Sequence, residues 1–467
     1  MSTIKLRLND AQHGALMDHL LPGDGLEAVA IALCGRRPGE VAHCLTVRLV
    51  VPIPYDECRV RTPDRVTWAT RRLLPLLEQA ARRDMAILKV HSHPGGYPAF
   101  SAVDDAADRD LFASVHGWVD GDYPHASAVM LPGGKMFARA VSPAGEFAPI
   151  SSVAVVGDDL RIWEPAESDA RPPEFSRRHA QLFGGGTTAL LRRLSVAVVG
   201  CSGTGSPVVE MLARLGVGRL VIIDPDRVEE KNLNRILNAT SEDARLNRLK
   251  VEVMARAIES MGLGTEVVPL PEILATPDAV RAVAECDAVF GCMDSVEGRN
   301  LLNRLAAFYT LPYIDVGVKL VADGRGGIEE VCGAVHYVKP GGESLLDRRA
   351  YTMGQLKAEG LRRTDPSAYE AQVGADYIQG IREDRPAVIS INMHMASVAV
   401  NEFLARLHPY RLDDNREFAV VRPSLIQGAL YRQSEGPPSE GLARSVGRGD
   451  VTPLLDMPEL SESGARP

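Results

Sequence analysis

Between residues 175 and 430, short apolar runs alternate with amphipathic stretches, and this alternation constrains the fold more than any other feature of the chain. Ser195–Val199 is followed by Pro207–Leu215, Leu220–Ile223 by Leu246–Met261, and Ala288–Cys292 by Arg299–Tyr309. Strand–helix–strand order of this kind predicts a mostly parallel sheet with helices on its faces, the doubly wound α/β class. Residues 1–165 have a different texture. They mix β-rich runs, Cys44–Pro52 and Met85–Val90, with a helical stretch expected at Thr67–Arg82, where Leu73, Leu74, Leu77 and Ala81 recur near helical spacing. That pattern suits an α+β domain. A polar segment, EPAESDARPPE from Glu164 to Glu174, separates the zones, and the linker is placed at residues 166–174. Residues 431–467, rich in Gly, Pro and Ser, are expected to form a disordered tail.

Composition narrows the function classes. The chain has 467 residues, 45% hydrophobic and 24% charged, enough for packed cores. With 52 Lys and Arg against 61 Asp and Glu, the net charge of -9 gives no broad polyanion-binding face, so no nucleic-acid partner is expected. Seven scattered cysteines form no CxxC pair, which argues against a disulfide framework and a cysteine-built zinc ribbon. The opening MSTIKLRLND lacks the layout of a signal peptide, and no apolar run approaches the roughly 18 residues of a membrane span. A soluble, cytoplasmic protein without a membrane partner is expected.

Residues 91–104 read HSHPGGYPAFSAVD. On an extended segment His91 and His93 point to the same side, and Asp104 opens an Asp/Ala-rich helical stretch. Two imidazoles and a carboxylate give zinc three protein ligands and leave a fourth position for water, the arrangement of a catalytic zinc. Such a metal would make hydroxide available near neutral pH. A bare HxH is as readily a surface loop, but HxHP, six residues, then SxxD resembles the signature of the JAMM (JAB/MPN) metallo-isopeptidases. The resemblance implies Zn2+ on His91, His93 and Asp104, with Ser101 helping to stabilise a tetrahedral oxyanion. It also calls for a distant general acid/base glutamate on an early strand. Glu27, just before an apolar run ending in Gly35, matches that place, with Glu40 and Glu57 as competitors.

Residues 195–235 carry the second constellation: an apolar strand, a Gly-rich turn and a helix, then a strand ending in Asp224. Such a turn brings backbone N–H groups to an anionic phosphate, and an acidic residue at the second strand's end suits a ribose hydroxyl. The glycines alone would suggest an NAD-dependent dehydrogenase, but GxGxxG wants Gly where Ser202 stands. The continuation, IDPDRVEEKNLNR, then Lys250, then CMDSVEGRN, resembles the adenylation domain of ubiquitin-activating enzymes and ThiF/MoeB enzymes. That resemblance runs from about Phe175 to His408 and includes the helix in PAVISINMHMASVAVNEFLARL. It implies a Rossmann-like domain using ATP and Mg2+. Gly200, Gly203 and Gly205 would shape the phosphate loop and Asp224 would hold the ribose. Asn232, Arg235 and Lys250 would contact phosphates, and Asp294 would bind magnesium. Arg177 matches an arginine delivered from a partner subunit, which implies a homodimer. Cys201, inside the loop, reads as a packed residue.

Two family features are missing. The turn that often precedes a structural-zinc cysteine reads VKPGGESLLDRR, with Ser344, so that zinc is expected to be absent. Cys332 is the only cysteine downstream of Asp294, and it lies in a β-rich run, so a packed thiol and a transfer thiol both remain open. The polar stretch from Gly341 to Glu383 is expected to be a crossover and partner-binding region. Together the two resemblances imply a fusion acting on one substrate. The zinc domain would cut at the C-terminus of a ubiquitin-like protein, and the second domain would adenylate the exposed carboxylate, with a conjugating enzyme as a candidate partner downstream. The rival reading trims and adenylates a sulfur-carrier β-grasp protein for thiocarboxylate formation. A third, a nucleotide-binding scaffold with dead sites, is disfavoured by the complete ligand set.

Overall fold

In a computed structural model, residues 3–165, 172–374 and 386–461 are described. They divide into two units, the first made of residues 3–165 with Ala307–Thr310 and Ser445–Ser461, the second of the remainder.

The first unit is built on a nine-stranded sheet. Its strands are β1 (Thr3–Asn9), β2 (Val29–Pro38), β3 (Ala42–Pro52), β6 (Ala86–Ser92), β7 (His125–Met130), β8 (Met136–Val141), β9 (Phe147–Pro149), β10 (Ser152–Val156) and β11 (Leu160–Trp163). A separate hairpin joins β4 (Cys58–Thr62) to β5 (Arg65–Trp68). The sheet order is β11-β10-β1-β3-β2-β6-β7-β8-β9. Helix α1 (Asp10–Leu20) covers one face, and α2 (Leu74–Arg83) and α3 (Ala102–Trp118) cover the other. Alternation along β2 explains the two layers: Ala30 and Ala32 join the core beneath α1, while Val29, Ile31 and Leu33 join that beneath α2 and α3.

The expected helix at Thr67–Arg82 is shorter, because Thr67 and Trp68 lie in β5 and α2 begins at Leu74. Pro75 suits a helix's first turn, where its missing N–H costs nothing, and Val66, Thr67 and Trp68 suit a strand. The expected tail also differs. Residues 429–433 form a strand, and Leu454, Leu455 and Leu460 are buried. Gly447 accepts a hydrogen bond from the Gly35 N–H at 3.1 Å, and the Asp450 N–H donates to the Arg36 carbonyl at 2.7 Å. The glycines that read as disorder permit this approach, since a Cβ on Gly447 would collide with the Val47 carbonyl. Residues 462–467 lie outside the described residues, as do 166–171 of the linker.

The second unit has the expected doubly wound core. Its strands are β12 (Ser195–Val199), β13 (Arg219–Ile223), β14 (Glu266–Leu270), β15 (Ala288–Gly291), β16 (Tyr313–Ala322), β17 (Ile328–Val338), β18 (Val420–Ser424) and β19 (Ala429–Gln433). Their order is β14-β13-β12-β15-β16-β17-β18-β19, parallel from β14 through β16 and antiparallel beyond. The helices of this unit are α4 (Arg177–Leu191), α5 (Gly205–Leu215), α6 (Ser241–Arg245), α7 (Lys250–Met261), α8 (Pro277–Ala284), α9 (Val296–Phe308), α10 (Met353–Thr364), α11 (Pro366–Gly374), α12 (Ile389–Leu407) and α13 (Glu440–Ala443). Helix α7 starts four residues later than expected because Asn247 turns the chain with φ of 51°. The strand order reverses between β12 and β15, which opens a crevice at their carboxyl ends. No described helix is long and apolar enough to cross a membrane.

Candidate functional sites

In the first unit the site grows from the pairing of one strand with one helix. Odd-numbered side chains of β6 face α3, so Ile87, Lys89 and His91 stand in a row. The inward face of α3 presents Asp104, Asp108, Phe112 and Val115, four or three residues apart. The two rows match: His91 with Asp104, Lys89 with Asp108, and Ile87 with Phe112 in the apolar core.

His91 Nε2 lies 2.9 Å from Asp104 Oδ1, and His93 Nε2 lies 3.4 Å from Asp104 Oδ2 and 3.1 Å from His91 Nε2. One ligand atom from each of these residues can be chosen within 4.8 Å of the others, a spacing that fits one metal ion. The chemistry of the set fits too. Burial pulls the His91 imidazole down to about 4, so it is neutral near pH 7 and keeps a lone pair for a metal. For His93 burial acts downward, but the bonds to Asp104 and to the Tyr97 carbonyl outweigh it and raise its pKa. Burial likewise acts upward on Asp104, and hydrogen bonds from His91 and His93 overcome it, so the carboxylate stays ionised. His93 Nδ1 is fixed by the Tyr97 carbonyl at 2.9 Å, which turns Nε2 toward the cluster.

The SxxD spacing has a structural reason that the sequence reading missed. Ser101 is the N-cap of α3, and Asp104 occupies the third position of a capping box. The Ser101 N–H and Oγ–H both donate to Asp104 Oδ2 at 2.7 Å, and Ser101 Oγ accepts from the Asp104 N–H at 3.1 Å. The cap aims the other oxygen at His91. Ser101 is thus committed to Asp104 here.

Glu27 reaches the same place through register. Val29 pairs with His91 in the antiparallel β2–β6 ladder, so Glu27, two residues earlier, falls opposite His93. Its Oε1 is 4.0 Å from His93 Nε2, and the side chain is buried. Burial raises its pKa to about 7, against the pull of His93. A carboxyl that exchanges protons near neutrality is what a general acid/base requires. The Glu27 N–H donates to the Thr62 carbonyl at 2.9 Å, and Arg61 Nε donates to the Glu27 carbonyl at 3.1 Å. Glu57 lies elsewhere, bonded to Arg71 and Arg72.

Arg139 was not singled out by sequence. It is buried, its guanidinium bonds Asp105 and Asp108, and it lies 3.8 Å from the Phe100 ring centre and 3.7 Å from that of Phe147. It fastens the turn that delivers Ser101 and Asp104.

In the second unit the Gly-rich loop joins β12 to α5. Gly200 has φ of 93°, and a Cβ there would stand 2.8 Å from the Cys292 carbonyl carbon, so the loop can pass the end of β15 only as glycine. Gly205 is stricter, because a Cβ would strike the Gly200 carbonyl oxygen. The N–H groups of Ser202, Gly203 and Thr204 have no partner among the described residues and remain available to an anion. Asp224 follows β13; its Oδ2 accepts the Cys201 N–H at 2.7 Å and its Oδ1 accepts the Asp226 N–H at 2.9 Å. It thereby pins the loop, while burial raises its pKa.

Lys250 Nζ donates to Asp226 at 2.7 Å and stands 3.7 Å from Asp224. Asn232 is buried, and its Oδ1 accepts the Glu229 N–H at 3.1 Å, closing a turn. Arg235 packs beside Gly203 and donates to the Lys231 carbonyl at 2.9 Å. Asp294 is exposed beyond β15. Arg177 opens α4, also exposed, and pairs with Glu174 at 2.8 Å. Cys201 is fully buried and its thiol is pushed well up by burial. Cys332 lies in β17 opposite Lys319, and burial and then Glu330 raise its pKa.

The chain is also similar to known proteins. The model of the ThiF family matches residues 175–419, more than half of the chain, and the chain belongs to that family. The model of prokaryotic homologs of the JAB domain matches residues 10–139. The adenylyltransferase and sulfurtransferase UBA4 of Meyerozyma guilliermondii is 32% identical over 134 residues, 28% of this chain and 31% of that protein. The sulfur carrier protein adenylyltransferase of Thermus thermophilus is 31% identical over 145 residues, 30% of this chain and 53% of that protein. The chain thus spans about a third to a half of these relatives' length. Among solved structures, E. coli MccB with ATP is similar at 18% identity and a TM-score of 0.43, covering 57% of this chain and 73% of that one.

Proposed function

We propose that the chain both trims and adenylates the C-terminus of a ubiquitin-like or sulfur-carrier β-grasp protein. The observation that carries this reading is the presence, in one chain, of a converging His91–His93–Asp104–Glu27 cluster and a loop of free N–H groups at a doubly wound switch point. Membership of the ThiF family supports ATP use, and relatives named as adenylyltransferases support the reaction class.

In the adenylation half, the carrier's terminal carboxylate attacks the α-phosphate of ATP, a P–O bond forms, and pyrophosphate leaves. The protein's part is to hold the triphosphate in line and offset its charge. The loop N–H groups, Arg235 and Lys250 face that task, with Asn232 shaping the turn and Asp224 available to the ribose. Asp294 would hold the Mg2+ that accompanies ATP. Arg177 of a second copy would complete the site in a homodimer.

In the other half, His91, His93 and Asp104 would hold Zn2+, which when bound polarises a scissile carbonyl and acidifies a water. Glu27 takes a proton at its carboxylate and returns it to the leaving amine. Ser101 orients Asp104, and its hydroxyl would serve a developing oxyanion only by turning away from the Asp104 carboxylate it bonds here.

The sulfur-carrier variant of this reading needs no transfer thiol on this chain and is favoured by the place of Cys332 within a sheet; its product is the acyl-adenylate. Transfer to a conjugating enzyme remains the alternative fate. Pyrophosphate–ATP exchange with a panel of ubiquitin-like and sulfur-carrier proteins tests the proposal. One carrier should support exchange that Asp294→Ala abolishes; exchange by none of them above that variant would refute it.

A further inference from the structure

The phosphate loop meets a group far along the chain that neither the glycine pattern nor the charged motifs indicate. A Cβ on Gly203 would run into the carboxamide nitrogen of Asn392 and would stand 3.2 Å from Arg235 Cδ. Both side chains therefore approach the loop at Gly203, on the side where a Cβ would stand. Asn392 belongs to the first turn of α12, whose nineteen residues pack along α5. Two independent observations point from Asn392 to a ligand. The residue is only 5% exposed, and its carboxamide has no hydrogen-bond partner among the described residues. A carboxamide without a partner gains from an acceptor on a bound group. The second is the company it keeps. The N–H groups of Ser202, Gly203 and Thr204 are likewise without partners, and the α12 N-terminus carries no side-chain cap. Donors gathered without acceptors mark a place for an anion.

We propose that the Asn392 carboxamide is a phosphate-binding group, donating from Nδ2 to a phosphate oxygen of a nucleoside triphosphate seated on the Gly203 turn. The contact rests on the adenylation reading above and adds to it a binding residue 189 positions downstream of the loop. The role is binding, not proton transfer, since an amide does not titrate near neutrality. Aspartate at this position keeps the shape but replaces the donor by a second negative charge, so it is the sharpest substitution. Alanine removes the donor alone.

Titration of the full chain with ATP, with AMP and with adenosine, in magnesium and followed by calorimetry, tests the assignment. Asn392→Ala should weaken ATP about tenfold, in line with loss of one hydrogen bond to a charged group, and Asn392→Asp should weaken it more. Adenosine binding and the unfolding midpoint should stay within twofold and a few degrees of the parent. Gly203→Ala, whose Cβ would displace the carboxamide, should reproduce the selective loss. Equal ATP affinity in the parent and Asn392→Asp overturns the assignment while leaving adenylation intact. Equal losses for ATP and adenosine overturn it as well, by assigning Asn392 to packing. A parent chain that does not bind ATP at all instead sinks the adenylation reading on which the contact rests.

Discussion

Glu27 shows how a side chain's surroundings set its chemistry. Its folded pKa, raised from 4.5 to about 7 by burial, exceeds its unfolded value, so the native state prefers the protonated carboxyl. The associated stability is present below pH about 4.5 and is lost as pH rises through about 7. In chelator-treated protein, Glu27→Gln should be more stable than the parent at pH 8, by up to about 3 kcal/mol, and equal to it near pH 4. Urea unfolding at the two pH values checks the sign; a larger gain at pH 4 would contradict it. The functional signature is separate, because the same variant should lose trimming without losing adenylation. The candidate ligand set could be read from HxHP and SxxD, because a bound metal would fix both residue types and their spacing, and the structure brings His91, His93 and Asp104 together. Glu27 was found by resemblance alone, since what places it is the register of β2 on β6, and no local pattern encodes that.

At the scale of elements, α3 is held by charge where it carries the site and by apolar packing beyond it. Asp108 is fully buried between Lys89, at 2.6 Å, and Arg139, at 2.7 Å. Removing one cation leaves a buried carboxylate short of a partner, so Arg139→Met should cost about 3 kcal/mol in denaturant unfolding. It should also lower zinc affinity measured by chelator competition, about tenfold, because the turn bearing Asp104 loosens. An unaltered affinity would show that the capping box suffices. In the second unit, Gly205→Ala should disrupt the β12–α5 turn outright, since its Cβ has no space beside Gly200. Loss of soluble protein or a midpoint lower by many degrees checks this in a thermal scan. Strands and helices of this unit were legible because apolar runs in a parallel sheet are continuous and flanked by turn residues. Element starts were less so. Asn247 and Pro75 set the true beginnings of α7 and α2, and hydrophobic spacing does not register either one.

For the whole molecule, the division into two zones was visible as a change of texture, whereas the fate of residues 445–461 was not. Their Gly and Pro content is shared by disordered tails and by segments that lie tightly on other backbone. Only the partner surface, here the Gly35–Arg36 stretch of β2, tells them apart. Asn392 was hidden for a similar reason, because its meaning comes from Gly203 and not from its own helix. The central claim is that both sites act in sequence on one C-terminus. It is tested most directly by pyrophosphate–ATP exchange with a carrier protein bearing a short C-terminal extension beyond its terminal glycine. The account predicts exchange with the parent chain and none with His91→Ala, with full exchange restored to that variant when the carrier is supplied already trimmed. Equal exchange by parent and His91→Ala on the extended carrier would contradict it.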